Sequence, residues 1–177
     1  GAKRIVLMGS SIGGSLLLQT ITRSPLARDV ESVILDSPVV DWVSTLRLQT
    51  KLNRLPAIVL PAVVTVLSST WGGRITGQSA PIAIRRLDLV RSAALLRIPI
   101  LIMHSVDDGY VPIGASRSLA QARPDLVQLV EFVQAHHVRL WNLDPQRWEG
   151  SIDTWLMALD AAWSAASAST GRRSRRS

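Results

Sequence analysis

The sequence predicts an α/β fold built on a mostly parallel sheet, with helices on both faces, and three observations carry that reading. Short apolar runs rich in β-branched residues recur at Arg4–Met8, Ser32–Asp36 and Ile98–Met103, and a further strand is read near Leu126–Val133. Uninterrupted runs of this kind belong to strands buried on both faces, the usual state of a parallel sheet. Helical patterns separate them, so the chain reads strand, helix, strand at its start and again near its end. Finally, the residues that follow each run are turn formers or polar groups, as expected where strands empty into loops on one edge of a sheet.

Each element has its own signal. Arg4–Met8 is closed by Gly9 and reads as a strand buried on both faces. Ile12–Thr22 carries Leu16, Leu17 and Leu18 without a breaker and reads as a helix ending near Pro25. Residues 39–97 change character, with helical stretches punctuated by Pro56, Pro61, Gly72, Gly73, Gly77 and Pro81, and predict an inserted helical cap. Within it, Leu55–Leu67 reads as a packed cap helix, with a lid lining an acyl pocket as the alternative. A helix over Ile113–Ala122 precedes the last strand. Asp144-Pro145 supplies an N-cap with proline in the first helical position, and Trp148, Ile152, Trp155, Leu156, Leu159 and Trp163 then recur at helical spacing. That stripe predicts a final helix docked on the sheet. The globular part is set at 1–168, and 169–177 is expected to be a disordered basic tail.

Composition narrows the function classes. The formal charge of the 177-residue chain is +7, but Arg172, Arg173, Arg175 and Arg176 supply four of those charges. A nucleic-acid partner would rest on that tail alone, which lacks interleaved aromatics, so none is expected. There are no cysteines and no H-E-x-x-H helix, so no metal site and no cofactor are expected. Leu55–Leu67 is interrupted by two prolines and too short to span a bilayer. No leader pattern is visible at the N-terminus, so a targeting signal would lie upstream, and a cytoplasmic site is the default. The sequence does not address oligomeric state.

Gly9-Ser10-Ser11-Ile12-Gly13 fits G-x-S-x-G between a buried strand and a helix. Such a turn lifts the central hydroxyl out of the backbone. Both flanking glycines are expected where a Cβ would collide with the neighbouring strand and helix, and Ser10 is expected to be a plain turn residue. Ser11 is therefore the candidate nucleophile. A serine hydroxyl needs a base, and the base an orienting carboxylate. Two later strand ends offer them: His104-Ser-Val-Asp-Asp-Gly-Tyr-Val-Pro112 and Gln134-Ala-His-His-Val138. Asp36, at the end of an earlier strand, is a reserve carboxylate, and His104 reads as a packed or hydrogen-bonded loop residue.

These segments resemble the α/β-hydrolase fold family. Asp108 to Val111-Pro112 is similar to the D-x-x-V-P acid loop, and Ala135-His136-His137-Val138 to the histidine loop G-H-[TV]; the order Ser, Asp, His is the order of that family. Leu52–Pro56 and Trp141–Pro145 further resemble segments of a poorly characterised bacterial subgroup, over about Lys3 to Ala162. The resemblance implies Ser11 as nucleophile, Asp108 as acid, His137 as base and the N–H of Ile12 as one oxyanion donor. It favours Asp108 over Asp107, which would cap the loop, and His137 over His136, which stands where the family has Gly. It also implies that strands 5 to 8 of an eight-stranded sheet are retained and that the second oxyanion donor lies upstream. Losing one donor costs about 3 kcal/mol of transition-state stabilisation, so weak turnover by this chain alone is expected.

A serine nucleophile implies acyl chemistry. Trp42–Arg97 holds a single acidic residue, Asp88, among many Leu, Ile and Val, and so suits an apolar acyl or alkyl group better than a free amine. The resulting expectation is a carboxylesterase or lipase-like activity on a small apolar ester. A serine peptidase of the same fold and a non-catalytic binding protein that keeps the fold are the alternatives.

Overall fold

The computed structural model describes residues 4–77 and 80–173. Four strands, β1 (Ile5–Ser10), β2 (Val30–Asp36), β3 (Ile100–Ser105) and β4 (Val127–Phe132), form one sheet in the order β1-β2-β3-β4 with every neighbour parallel. Helix α1 (Ser11–Arg23) and a 3-10 turn at Pro25–Asp29 join β1 to β2. The cap follows β2, with α2 (Trp42–Leu52), α3 (Val59–Ser68), α4 (Thr70–Thr76) and two 3-10 turns. Helix α5 (Gly114–Ala122) joins β3 to β4, and α6 (Leu140–Leu143) and α7 (Pro145–Arg173) close the chain. The expected α/β architecture is present. Pairing of Ser10 with Asp36, of Asp36 with Met103 and of Ser105 with Phe132 brings the C-terminal strand ends to one edge.

Side chains alternate between two cores, as the pleat requires. Val33, Leu35, Ile100 and Ile102 pack with Leu18 and Ile21 of α1 and Leu119 of α5 on one face. Ile34, Leu101, Met103 and Phe132 pack with Leu140 and Trp155 on the other. Both faces of β2 and β3 are thus apolar and buried, which is why their sequences do not alternate. β1 departs from expectation. It is not buried on both faces: Leu7 packs against the α1 core, whereas Val6 and Met8 point to the other side and Met8 is 50% exposed. The covering helix of that face sits over β2 and β3, so the edge strand is sheltered on one side only.

The start of α7 is as read from sequence, with the Asp144 carboxylate accepting from the N–H of Arg147 at 3.0 Å. Trp155 is buried and Trp148, Ile152, Leu156 and Leu159 pack around it. Trp163 is a correction: it is 51% exposed and lies under the guanidinium of Arg4, 5.0 Å from its ring centre. Arg4 is held there by Glu31 and Asp160, so the last indole of the stripe meets a cation instead of the core. The tail boundary is also corrected. α7 continues through residues 169–173, because the Ala/Ser run from Ala161 contains no helix breaker before Gly171. Residues 174–177 lie outside the described residues.

The cap is built of shorter pieces than expected. Asp41 caps α2 by accepting from the N–H groups of Val43 and Ser44. Pro56 keeps the next segment out of helix, and α3 starts only at Val59, with Pro61 in its first turn where no intrahelical donor is lost. Although α3 reads VLPAVVTVLS, none of its residues is buried. Leu55–Leu67 is therefore not one packed helix: α3 begins only at Val59 and packs mainly on α4, with α2 and the 3-10 turn at Ile84–Leu87 beside it.

Candidate active site

The turn from β1 into α1 places Ser11 at the C-terminal edge of the sheet with φ of 50°, a left-handed conformation that is strained for a residue with a side chain. Gly9 allows this tight turn. A Cβ there would lie 2.8 Å from Leu17 Cδ1 and 3.1 Å from the carbonyl of Gly13. At Gly13 the expectation is corrected: a Cβ would meet nothing within 4 Å, because that flank of the turn is open. Ser10 occupies the N-cap position without capping through its side chain, in keeping with a plain turn residue.

Three strand ends converge. Ser11 Oγ lies 2.9 Å from His137 Nε2, and His137 Nδ1 lies 2.7 Å from Asp108 Oδ2. A carboxylate only accepts, so Nδ1–H donates to Asp108 and the neutral ring presents its Nε2 lone pair to the hydroxyl of Ser11. The other oxygen of Asp108 accepts from the N–H groups of Tyr110 at 2.8 Å and Val111 at 2.9 Å. This is the physical content of the D-x-x-V-P spacing: the third residue after the carboxylate closes a turn onto it. Burial pushes the Asp108 carboxyl up, but hydrogen bonds from His104, Val111, His137 and Tyr110 outweigh it and hold it at about 2. Asp108 is therefore ionised at neutral pH.

His104 is more than a packed loop residue. It lies in β3, fully buried, with Nε2 3.1 Å from the carbonyl oxygen of Val111 and 3.3 Å from Asp108 Oδ2, and Nδ1 2.9 Å from Ser116 Oγ. Nε2 faces acceptors only, so it carries the proton. Oδ2 of Asp108 thus faces two imidazole N–H groups, those of His104 and His137. The sequence holds only a weak signal for this, a histidine four residues before the acid at a strand end. Tyr110 has no sequence signal at all; its exposed ring packs at 5.4 Å from that of His137 and forms the rim of the site.

The neighbouring residues take supporting places. Asp107 accepts from Ser105 Oγ at 2.6 Å and from the N–H of Gln134 at 2.8 Å and pairs with His136 at 2.9 Å. The Ser105 bond, with these others, holds its carboxyl below the usual range. It ties the acid loop to the histidine loop without touching His137. Asp36 is buried and accepts from Ser37 Oγ and Trp148 Nε1, with no hydrogen bond to His137, so the geometry does not favour it as the acid. Burial raises its pKa. Ser37 also accepts from the N–H of Val138, anchoring the residue after His137 to the end of β2. Ile12 lies in the first turn of α1, where backbone N–H groups have no intrahelical acceptor.

The histidine loop carries three left-handed residues, Gln134, His136 and Val138, at φ of 65°, 58° and 51°. A glycine at 136 would adopt such a φ freely, and His136 adopts it with Asp107 as partner. Accordingly, His136→Gly should leave stability within about 1 kcal/mol of the parent, since relieved strain offsets the loss of an exposed contact with Asp107 and the glycine's entropy. His136→Val, β-branched and partnerless, should cost about 1–3 kcal/mol in urea unfolding.

The architecture and the site together define a class. The chain has the α/β-hydrolase fold in part, over a four-stranded portion of its sheet. Among solved structures, an esterase of Pyrococcus furiosus superposes with a TM-score of 0.61 at 17% identity, covering 89% of this chain and 54% of that one. MGS-MChE2, an α/β-hydrolase enzyme from a sediment metagenome of the Mar Chica lagoon, gives 0.58 at 14% identity over 89% of this chain and 63% of that one. The acylaminoacyl peptidase of Pyrococcus horikoshii gives 0.54 at 19% identity over 78% of this chain and 20% of that one. The chain thus spans about half the length of the P. furiosus esterase. No protein-family model matches the sequence, and no curated protein matches it.

Proposed function

We propose that the chain carries the catalytic centre of a serine hydrolase acting on acyl esters, carboxylesterase or lipase-like. The observation that supports this is the unbroken hydrogen-bond series Ser11 Oγ, His137, Asp108. In this reading His137 Nε2 takes the proton of Ser11 as Oγ attacks the acyl carbonyl, and Asp108 steadies the imidazolium that results. The N–H of Ile12 faces the developing oxyanion. Collapse expels the alcohol with the proton returned from His137, and water then attacks the acyl-enzyme by the same relay. The fold likeness to two enzymes described as an esterase and an α/β hydrolase agrees with this reading. A peptidase reading draws on the likeness to the acylaminoacyl peptidase but has little between residues 42 and 97 to bind an amine, where Asp88 is the single acid and pairs with Arg91.

A fluorophosphonate tests the centre without requiring turnover. Intact mass should show one adduct on the wild type and none on Ser11→Ala or His137→Ala. An unlabelled wild type, or labelling that survives Ser11→Ala, would overturn the assignment. Parallel assays on p-nitrophenyl esters and peptide p-nitroanilides separate esterase from peptidase, and amide cleavage without ester cleavage would make the peptidase reading the better one.

A further inference from the structure

Charge is distributed very unevenly over this fold. Residues 42–97 contain eight Lys and Arg and one acid, Asp88, whereas the rest of the chain up to residue 170 contains eight basic and twelve acidic residues. The cap is thus strongly cationic and the sheet domain anionic. Six of the cap cations, Arg47, Lys51, Arg54, Arg74, Arg85 and Arg86, are exposed, and among the described residues none of them is in an ion pair.

Exposed apolar groups are interleaved with these cations. The whole corner between α2 and α3, Lys51-Leu-Asn-Arg-Leu-Pro-Ala-Ile58, is exposed, and Ile58 is 70% accessible. On α4, Trp71 and Ile75 lie one turn apart on the surface beside Arg74. The corner also begins next to the site: Gln49, in the last turn of α2, donates to the carbonyl of Tyr110, whose ring lies against His137. A polyanion such as nucleic acid would satisfy the charges but leave Leu52, Leu55 and Ile58 in water. A bilayer surface satisfies both, with anionic headgroups for Lys and Arg and the acyl boundary for the aliphatic side chains.

We propose that the cap docks on bilayer surfaces containing anionic phospholipid, through the Lys51–Ile58 corner. The docking stands by itself; its consequence, that the acyl ester is drawn from the lipid phase into the site beside Tyr110, rests on the hydrolase reading above.

Co-sedimentation of the full chain with phosphatidylcholine vesicles, with and without phosphatidylglycerol, provides the test. The wild type should partition onto the mixed vesicles and not the neutral ones, with binding that falls as salt rises. Lys51→Glu/Arg54→Glu should weaken partition by at least about twentyfold, and Leu55→Ser/Ile58→Ser by about tenfold or more. Ser11→Ala should bind as the wild type does. Unchanged partition of Lys51→Glu/Arg54→Glu would assign binding to the Arg172–Arg176 tail and overturn the proposal. So would equal binding to neutral vesicles, no binding at all, or duplex DNA binding of equal strength that ignores Leu55→Ser/Ile58→Ser. Fluorophosphonate labelling of the double variants reports separately on folding and on the hydrolase reading.

Discussion

Replacing Asp108 by Asn will slow phosphonylation of Ser11 by about 10³–10⁴-fold while the fold persists. The Tyr110 and Val111 N–H groups fix which end of the amide can be its oxygen. The NH₂ group then faces His137 Nδ1, which must turn acceptor, so the proton moves to Nε2 and the lone pair that receives the Ser11 proton is gone. The same NH₂ faces the N–H of His104, a second mismatch. Time courses of adduct mass measure the rate. Acid unfolding measures the other consequence. The folded-state pKa of Asp108 is depressed to about 2, so its contribution to stability is complete above the ordinary carboxylate range and is lost as pH falls toward 2. The Asn variant should lose less stability across that interval than the parent. A variant that labels at the parental rate would remove Asp108 from the mechanism.

Trp155→Ala is expected to have the largest effect on stability, about 3–5 kcal/mol for the lost ring, with a further penalty for the group it leaves behind. Trp155 is nearly buried between α7 and the sheet, and its Nε1 donates to Ser32 Oγ at 2.9 Å, inside β2, where Ser32 has no exposure. Trp155→Phe keeps most of the packing but strands the hydroxyl, at about 1–3 kcal/mol. Adding Ser32→Ala to Trp155→Phe should recover part of that loss, because removing both partners of a buried bond is cheaper than removing one. Urea midpoints followed by far-ultraviolet circular dichroism give all three values. A double variant no better than Trp155→Phe would mean that packing, not the bond, sets the cost.

Elements that bury two faces were legible, because the apolar runs of β2 and β3 do not alternate as a half-exposed strand would. β1 carries the same kind of run yet is exposed at Val6 and Met8. Apolar composition states what a strand can bury, and not which neighbours cover it. The cap was legible as helical and cut by prolines, but the lack of buried residues in α3 was not, since α3 is as apolar as a core helix. At the site, Ser11, Asp108 and His137 could be picked out because turn and loop spacings are local: Gly9 clears Leu17, and Val111 closes on Asp108. His104, Tyr110 and Ser37 reach the site through tertiary contacts that no spacing records. Gly13 and Trp163 show the converse, real patterns whose expected neighbours are elsewhere.

The strand order has a bearing on how the site comes into being. Each strand pairs with the one made just before it, so the sheet grows sideways in a single direction as the chain lengthens. Ser11 follows β1, Asp108 follows β3 and His137, which bridges the two, follows β4. The hydrogen bond between Ser11 and His137 therefore depends on all four of these strands having joined, since it links the turn after β1 to the loop after β4.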